Sequence, residues 1–461
     1  MENQNLVREF ERLLGKANVM GEEADRQTYS YDAAVLDAVV PALVVRPTSS
    51  AQLQETVRLC SRHGLPLTVR GSGTNLSGGT IPGSRQTVVV VTNGLNRIIE
   101  VNAEDLYGVV EPGVITADFA KAAAGHGLFY PPDPGSQTVS TIGGNVAENA
   151  GGLRGLKYGV TRDYVMGMEF FDAAGELVKA GSRTVKCATG FNLCDLMVGA
   201  EGLLGVYSQI ILKLIPPPAA QQAMMAIFDT VEAACEAVSA VIANRIVPCT
   251  LEFLDNFTIR TVEEFRHAGL PVDAGALLLI EVDGHPAQVE DEAEKVKDLC
   301  RRQGATKIQV AESSEERDRI WQARRDALPA LARLKPTTVL EDATVPRSQL
   351  PAMIEKINAI AEKYRLNIGT FGHAGDGNLH PTILTDKRDR EEYARVEAAI
   401  DEIFDAALSL GGTLSGEHGI GLAKCKYLEN ETSRATIAYS KRLKAALDPQ
   451  NILNPGKMIG E

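Results

Sequence analysis

Short apolar runs alternate with amphipathic stretches along the first two hundred residues. Ala42-Leu43-Val44-Val45 reads as a strand, and Gln52 to Cys60 as a helix with Leu53, Val57, Leu59 and Cys60 inward. Pro66-Leu67-Thr68-Val69 reads as a second strand, which completes a βαβ-like unit. Ahead of it, residues 1–40 carry a charged amphipathic helix (Leu6, Phe10, Leu13, Leu14) and a polar connector. Strands follow at Thr87–Val91 and Tyr107–Glu111, then a helix from Thr116 to Ala124.

Pro216-Pro217-Pro218 resists both helix and sheet and marks a boundary. Beyond it the periods predict strand Met224–Phe228, helix Val231–Ala243, and strands Thr250–Leu254 and Leu277–Val282. Helix Glu290–Arg302 and strand Lys307–Val310 complete the series. That βαββαβ order is the ferredoxin-like plan, which by itself says little about function. A helix from Ser314 to about Arg333 carries Trp321, Arg324 and Arg325. Val339 to Pro346, a helix Leu350–Tyr364 and a helix Asp389–Leu410 follow, and the chain ends in the turn-rich Asp448 to Lys457. We therefore expect one segment to end at 217 and another to begin at 218.

Two stretches are too rich in small residues for ordinary packed elements. Arg70-Gly71-Ser72-Gly73-Thr74-Asn75-Leu76-Ser77-Gly78-Gly79 lets a backbone approach a ligand closely, and successive N–H groups there can cradle phosphate oxygens. It is no Rossmann fingerprint, because Leu76 takes the third glycine position and strand signals follow. With no Gly-Lys-Ser/Thr, it is no P-loop either. Thr141 to Gly152, preceded by Pro131 to Ser136, suits a chain pressed against a large flat ligand. Tyr158-Gly159 and Gly199 to Val206 continue the pattern.

The densest polar signal is Phe371-Gly372-His373-Ala374-Gly375-Asp376-Gly377-Asn378-Leu379-His380. Its glycines and Pro381 exclude a helix, and on one straight strand His373 and His380 would face opposite ways. Asp376-Gly377 is a turn signal, so a tight reversal brings both rings to one side. Glu417, in Ser415-Gly416-Glu417-His418-Gly419, would complete a two-histidine, one-carboxylate set of the kind that holds a catalytic divalent metal. Histidines beside glycine turns also simply bond backbone.

Composition narrows the classes. The 461 residues are 44% hydrophobic and 23% charged, as in ordinary globular proteins. A net charge of −13 argues against nucleic acid and anionic membranes as partners. Seven scattered cysteines without C-x-x-C exclude a ferredoxin-type cluster and point to a reduced, cytoplasmic setting. No signal peptide or apolar run long enough to span a bilayer is visible. Any membrane association would be peripheral, through a partner.

Taken together, these motifs resemble the vanillyl-alcohol-oxidase (PCMH-type) FAD-linked oxidases, and within them the D-lactate dehydrogenase / glycolate oxidase family. Arg70 to Gly79, Pro132 to Ser136, Ile142 to Gly152, Trp321-x-x-Arg324, His373 to His380, Ser415 to Gly419 and Asn454-Pro455-Gly456-Lys457 carry the likeness, in the family's order. It implies an α+β fold: a two-subdomain PCMH-type FAD-binding domain over 1–217, a ferredoxin-like substrate or cap domain with the metal site over 218–430, and a helical C-terminal region whose segment 431–461 returns to the first domain. The likeness places FAD against Arg70, Gly71, Ser72, Gly73, Thr74, Asn75 and Gly78, which would hold its pyrophosphate. Pro132, Ser136, Gly143, Gly144, Asn145, Asn149, Gly151, Gly152, Tyr158, Glu201, Val206 and Asn454 would line the rest. No histidine lies between Arg70 and Gly79, so attachment would be non-covalent.

The same likeness makes His373, His380 and Glu417 ligands of a divalent metal (Zn, Mn or Fe). Asn378 and Arg324 would be substrate contacts, with Arg324 facing the carboxylate, and His418 the general base. From the residues alone, the alternatives are a surface Arg324 with Trp321 as core anchor, and His418 as a ligand with Glu417 behind it. Leu328 and Leu340 replace the polar residue and lysine of relatives that act on dicarboxylic acids, which points to D-lactate or glycolate. Electrons would pass to an iron–sulfur subunit, an electron-transfer flavoprotein or a quinone reached through one. Two rival readings are a non-haem metal oxygenase or hydrolase and a non-catalytic FAD relay subunit.

Overall fold

Val88-Val89-Val90-Val91 is buried along its whole length, as a parallel strand covered on both faces must be. In the computed structural model, which describes residues 2–460, this strand is β4 of a four-stranded sheet. Met1 and Glu461, the outer ends of the expected first and last segments, lie outside the described residues. Its neighbours are β1 (Val19–Met20), β2 (Leu43–Val45) and β3 (Leu67–Arg70), in the order β1-β2-β4-β3, with β4 parallel to β2 and β3. The helix Ser50–His63 links β2 to β3. It begins where Ser49 accepts the Gln52 N–H and stops at Gly64, whose φ of 59° side chains disfavour.

A second sheet is antiparallel throughout: β5 (Ile98–Asn102), β6 (Tyr107–Val110), β7 (Val165–Phe171), β8 (Leu177–Gly181) and β9 (Val206–Lys213), in the order β5-β6-β9-β7-β8. Both sheets belong to one compact unit made of Met1–Gly151, Val160–Pro217 and Glu417–Glu461. Phe10 and Leu14 of the helix Glu2–Leu14 pack with Leu53, Val57 and Val90, as the amphipathic pattern predicts. The chain's end returns to the same core. Leu67 N–H donates to Ile452 O (2.7 Å) and Asn454 N–H to Leu67 O (2.8 Å), which lays the tail beside β3.

Residues 417–430 also pack here. Ile420 and Gly421 N–H donate to Glu201 (2.7 Å each), and Leu422 and Ala423 N–H to Ser77 O (2.9 Å each). The division between units therefore falls after Gly416, where the sequence reading put it at 430. The glycine-rich stretch after Thr141 is partly helical: Ile142–Glu148 is capped by the Thr141 side chain and ended by Asn149 at φ 53°. Gly143 is required there by close packing, since a Cβ would lie 2.7 Å from Pro112 Cβ.

The other unit comprises Gly152–Gly159 and Pro218–Gly416. Its sheet contains β10 (Ala220–Phe228), β11 (Thr250–Asp255), β12 (Ala276–Gly284), β13 (Ala305–Val310), β14 (Thr337–Leu340), β15 (Ala343–Thr344), β16 (Asn367–His373) and β17 (Asn378–Thr385). The order is β13-β10-β12-β11-β16-β17-β14, with β15 also on β17. The first four strands, with helices Val231–Ala243 and Pro286–Arg302, form the ferredoxin-like plan that the sequence predicts. The extra helix Asn256–Arg266, capped by Asp255, was not foreseen. The predicted Ser314–Arg333 helix splits into Ser314–Arg325 and Ala327–Ala332, because Pro329 cannot donate back to the preceding turn.

Candidate functional site

Register builds the polar face of the second unit. In the β16–β17 hairpin His373 opposes Asn378 and Phe371 opposes His380. Directly opposed residues share a face, as do residues two apart, so all four side chains point the same way. The predicted reversal at Asp376-Gly377 is present, and the two imidazoles meet edge to face with centroids 5.1 Å apart. A ring nitrogen of each lies within 4.8 Å of the other. On the outer side β15 pairs Thr344 with Asn378. The intervening Asp342 approaches His380 Nδ1 at 3.9 Å and accepts hydrogen bonds from Ser415 Oγ (2.7 Å) and Gly416 N (2.8 Å). On the inner side β11 pairs Phe253 with Gly372, which sets Glu252 beside His373.

The helix Ser314–Arg325 covers this face. Arg317, Trp321 and Arg324, spaced four and three apart, share one side of it. Trp321 Nε1 donates to Glu281 (2.6 Å), with Arg317 on the same carboxylate at 2.8 Å. Arg324 is buried, at 7% exposure, so the surface reading is incorrect: the helix turns it inward. Its guanidinium lies 4.7 Å over the Phe371 ring, and its Nε donates to Glu252 (2.6 Å). Burial pushes the Glu252 carboxyl up, but His373 and Arg324 outweigh it and hold the group below the usual carboxylate range. Leu328 and Leu340 pack against the same apolar cluster as Phe371.

Two oxygens on this face are buried without a hydrogen-bond partner: Asn378 Oδ1 and Thr344 Oγ1. Gly416 packs closely on both residues, since a Cβ there would collide with Thr344 Oγ1 and stand 2.7 Å from Asn378 Nδ2. A buried cation, two imidazoles and unfilled polar positions suit a small hydroxylated anion better than structural packing alone. In the first unit, Glu417 lies against Gly151, and its Oε1 is 3.9 Å from His418 Nε2.

The glycine-rich segment of the first unit fits an oxyanion. Among the described residues, none of the amides from Ser72 to Gly79 donates a main-chain hydrogen bond, and such a run of free N–H groups is what a pyrophosphate completes. The side chains around it are turned to other uses. Arg70 donates to Tyr31 O (2.6 Å), Ser72 to Val139 O (2.6 Å) and Asn75 to Asp32 (2.7 Å). Asn145 donates to Thr116 (2.8 Å), and Asn149 accepts the Arg162 N–H (2.9 Å). Pro132 is buried, Gly144 packs on Thr141, and Val206 lies in the apolar core. Asn454 ties Gly79 O (3.0 Å) to Glu201 O (2.7 Å). Tyr158 belongs with the second unit, where its hydroxyl donates to Asp283 (2.7 Å).

Sequence reasoning missed Glu252, Asp342 and Thr344. A single carboxylate inside the otherwise inward Thr250-Leu251-Glu252-Phe253-Leu254 run was the available signal.

Fold and site define an oxidoreductase built on an FAD-binding domain. Residues 41–181 match the FAD binding domain model and residues 217–458 the model for the C-terminal domain of FAD linked oxidases, so the chain belongs to the FAD-linked oxidase family. It is 48% identical to the glycolate oxidase subunit GlcD of Bacillus subtilis over 447 residues, covering 97% of this chain and 95% of that protein. It is 31% identical to a D-lactate dehydrogenase of Anaerostipes hadrus, covering 98% of this chain and 97% of that protein. The fold is similar to p-cresol methylhydroxylase solved with substrate bound, at TM-score 0.83 and 19% identity, covering 100% of this chain and 97% of that one. It is likewise similar to 4-ethylphenol oxidase of Gulosibacter chungangensis, at TM-score 0.81 and 18% identity, covering 99% and 97%.

Proposed function

We propose that the chain oxidises a small monocarboxylic D-2-hydroxy acid, D-lactate or glycolate, to its 2-oxo acid. The observation that carries this reading is Arg324, a buried guanidinium stacked on Phe371 and held by the same Glu252 that holds His373, on the sheet face that also carries His380 and the unpartnered oxygens of Asn378 and Thr344. Arg324 pairs with the substrate carboxylate, because a planar guanidinium matches it bidentately. Asn378 hydrogen-bonds the substrate, and His418 takes the hydroxyl proton, imidazole being the side chain suited to general base catalysis near neutral pH. When bound, non-covalent FAD supplies the acceptor for the Cα hydride, and a divalent cation (Zn, Mn or Fe) on His373, His380 and Glu417 supplies the charge that eases loss of the hydroxyl proton.

Leu328 and Leu340 offer no partner to a second carboxylate, which favours monocarboxylic substrates. Relatives named as glycolate oxidase subunits support the existence of a partner protein, and in this reading that partner, an iron–sulfur subunit or an electron-transfer flavoprotein, accepts the electrons. Among the described residues no helix is long and apolar enough to cross a membrane. The reading places the chain in the cytoplasm, peripheral to a membrane only through that partner. It is tested by chelation of the purified flavoprotein: reduction by substrate stops, the yellow colour stays, and added Mn²⁺ or Zn²⁺ restores reduction. Full activity in protein shown by elemental analysis to be metal-free would refute the metal's role.

A further inference from the structure

Glu252 lies outside the motifs that mark the family, yet its carboxylate touches two of the groups on which the proposed chemistry depends. It is 0% exposed. One oxygen is 2.7 Å from His373 Nδ1 and the other accepts the Arg324 Nε–H at 2.6 Å. The strand places it there without freedom to choose, because the β11–β16 register sets it opposite His373 and the covering helix brings Arg324 down on its other side. A fully buried carboxylate is tolerated only when paired, and these two partners are what compensate it.

We infer that Glu252 is a positioning residue that sets two groups at once: the tautomer of His373 and the plane of the Arg324 guanidinium. The inference rests on the proposed reading of His373 as a metal ligand and Arg324 as the substrate's arginine. A carboxylate can only accept, so His373 must carry its proton on Nδ1, which keeps Nε2 unprotonated and therefore able to ligate a cation. The same carboxylate holds Arg324 by Nε and leaves its two terminal nitrogens for a ligand, while Phe371 fixes the guanidinium's height. One rigid strand residue therefore relates the direction of the metal-binding nitrogen to that of the carboxylate-binding fork.

Glu252→Gln has nearly the same shape and reverses this logic. Its amide oxygen stays with Arg324, which can only donate, so its NH₂ turns to His373 Nδ1 and drives the ring proton to Nε2. The full-length, FAD-loaded wild type and variant are stripped of metal, and each is titrated with Mn²⁺ by calorimetry. Steady-state kcat and KM are measured on the same samples. The variant should keep its flavin, bind Mn²⁺ about 10- to 100-fold more weakly, and show a raised KM as well as a lowered kcat. Equal Mn²⁺ affinity in the two proteins overturns the role assigned to Glu252 while leaving the metal reading intact. A wild type that binds no Mn²⁺ sinks the metal reading, and this inference with it. Should the variant not fold, ¹⁵N-histidine spectra of the metal-free wild type decide: the resonance lost in His373→Gln must show the Nδ1–H tautomer, and an Nε2–H tautomer refutes the inference.

Discussion

Asn454→Ala removes one side chain that holds three segments of the FAD-binding unit together. Asn454 is 2% exposed. Its Nδ2 donates to Gly79 O and Glu201 O, and its Oδ1 accepts from Thr68 Oγ1 (2.9 Å) and Lys457 Nζ (3.3 Å). The two carbonyls become buried acceptors with nothing in place of Nδ2, at about 1–3 kcal/mol each. Thr68 and Lys457 lose less, since a hydroxyl can rotate and Lys457 keeps Ile81 O. The total is roughly 3–5 kcal/mol, or a fall of about 10 °C in melting temperature for a unit of this size. Thr68→Val, which deletes one donor and keeps the shape, should cost only about 1 kcal/mol. Calorimetric melting and flavin content of the purified proteins make the comparison. Loosening of Gly79 should also lower FAD retention in Asn454→Ala and hardly in Thr68→Val. An alanine variant melting within about 2 °C of wild type, or a valine variant equally damaged, would refute the reasoning.

Two further outcomes are expected. Burial pushes the Asp255 carboxyl up to about 6, against the hydrogen bonds it accepts from Thr258 and Thr370. A raised carboxyl binds a proton in the folded state before the unfolded one does, so its contribution is present below about pH 4 and lost as pH rises through 6. In urea unfolding, Asp255→Asn should therefore gain up to about 3 kcal/mol on wild type between pH 4 and pH 7, and a gap that ignores pH contradicts the assignment. Leu340→Lys places a cation on the sheet face that carries Asp342 and Thr344. It should move the ratio of kcat/KM at least about tenfold from D-lactate toward a dicarboxylic D-2-hydroxy acid, and an unmoved ratio argues against this face as the specificity wall.

The parts that were legible in the sequence are those governed by local chemistry. The βαββαβ order follows from alternating periods, and the His373–His380 reversal from Asp376-Gly377. What escaped depended on distant partners. β7 and β9 pair across some forty residues, and no local period declares it. Thr141 and Pro112 make a helix of Ile142–Glu148, although its glycines disfavour one. Glu252 reads as an ordinary strand residue until Arg324, 72 positions away, lies against it. The end of the second unit at Gly416 was hidden because Glu201, which captures Ile420 and Gly421, is more than two hundred residues earlier.

Anaerobic stopped-flow mixing of the FAD-loaded protein with D- and L-lactate and with glycolate, followed by flavin absorbance, tests the central claim most directly. The account predicts rapid bleaching by D-lactate or glycolate, little by L-lactate, and none in His418→Ala, which stays yellow. Bleaching of His418→Ala at the wild-type rate, or a wild type that no 2-hydroxy acid bleaches, would contradict it.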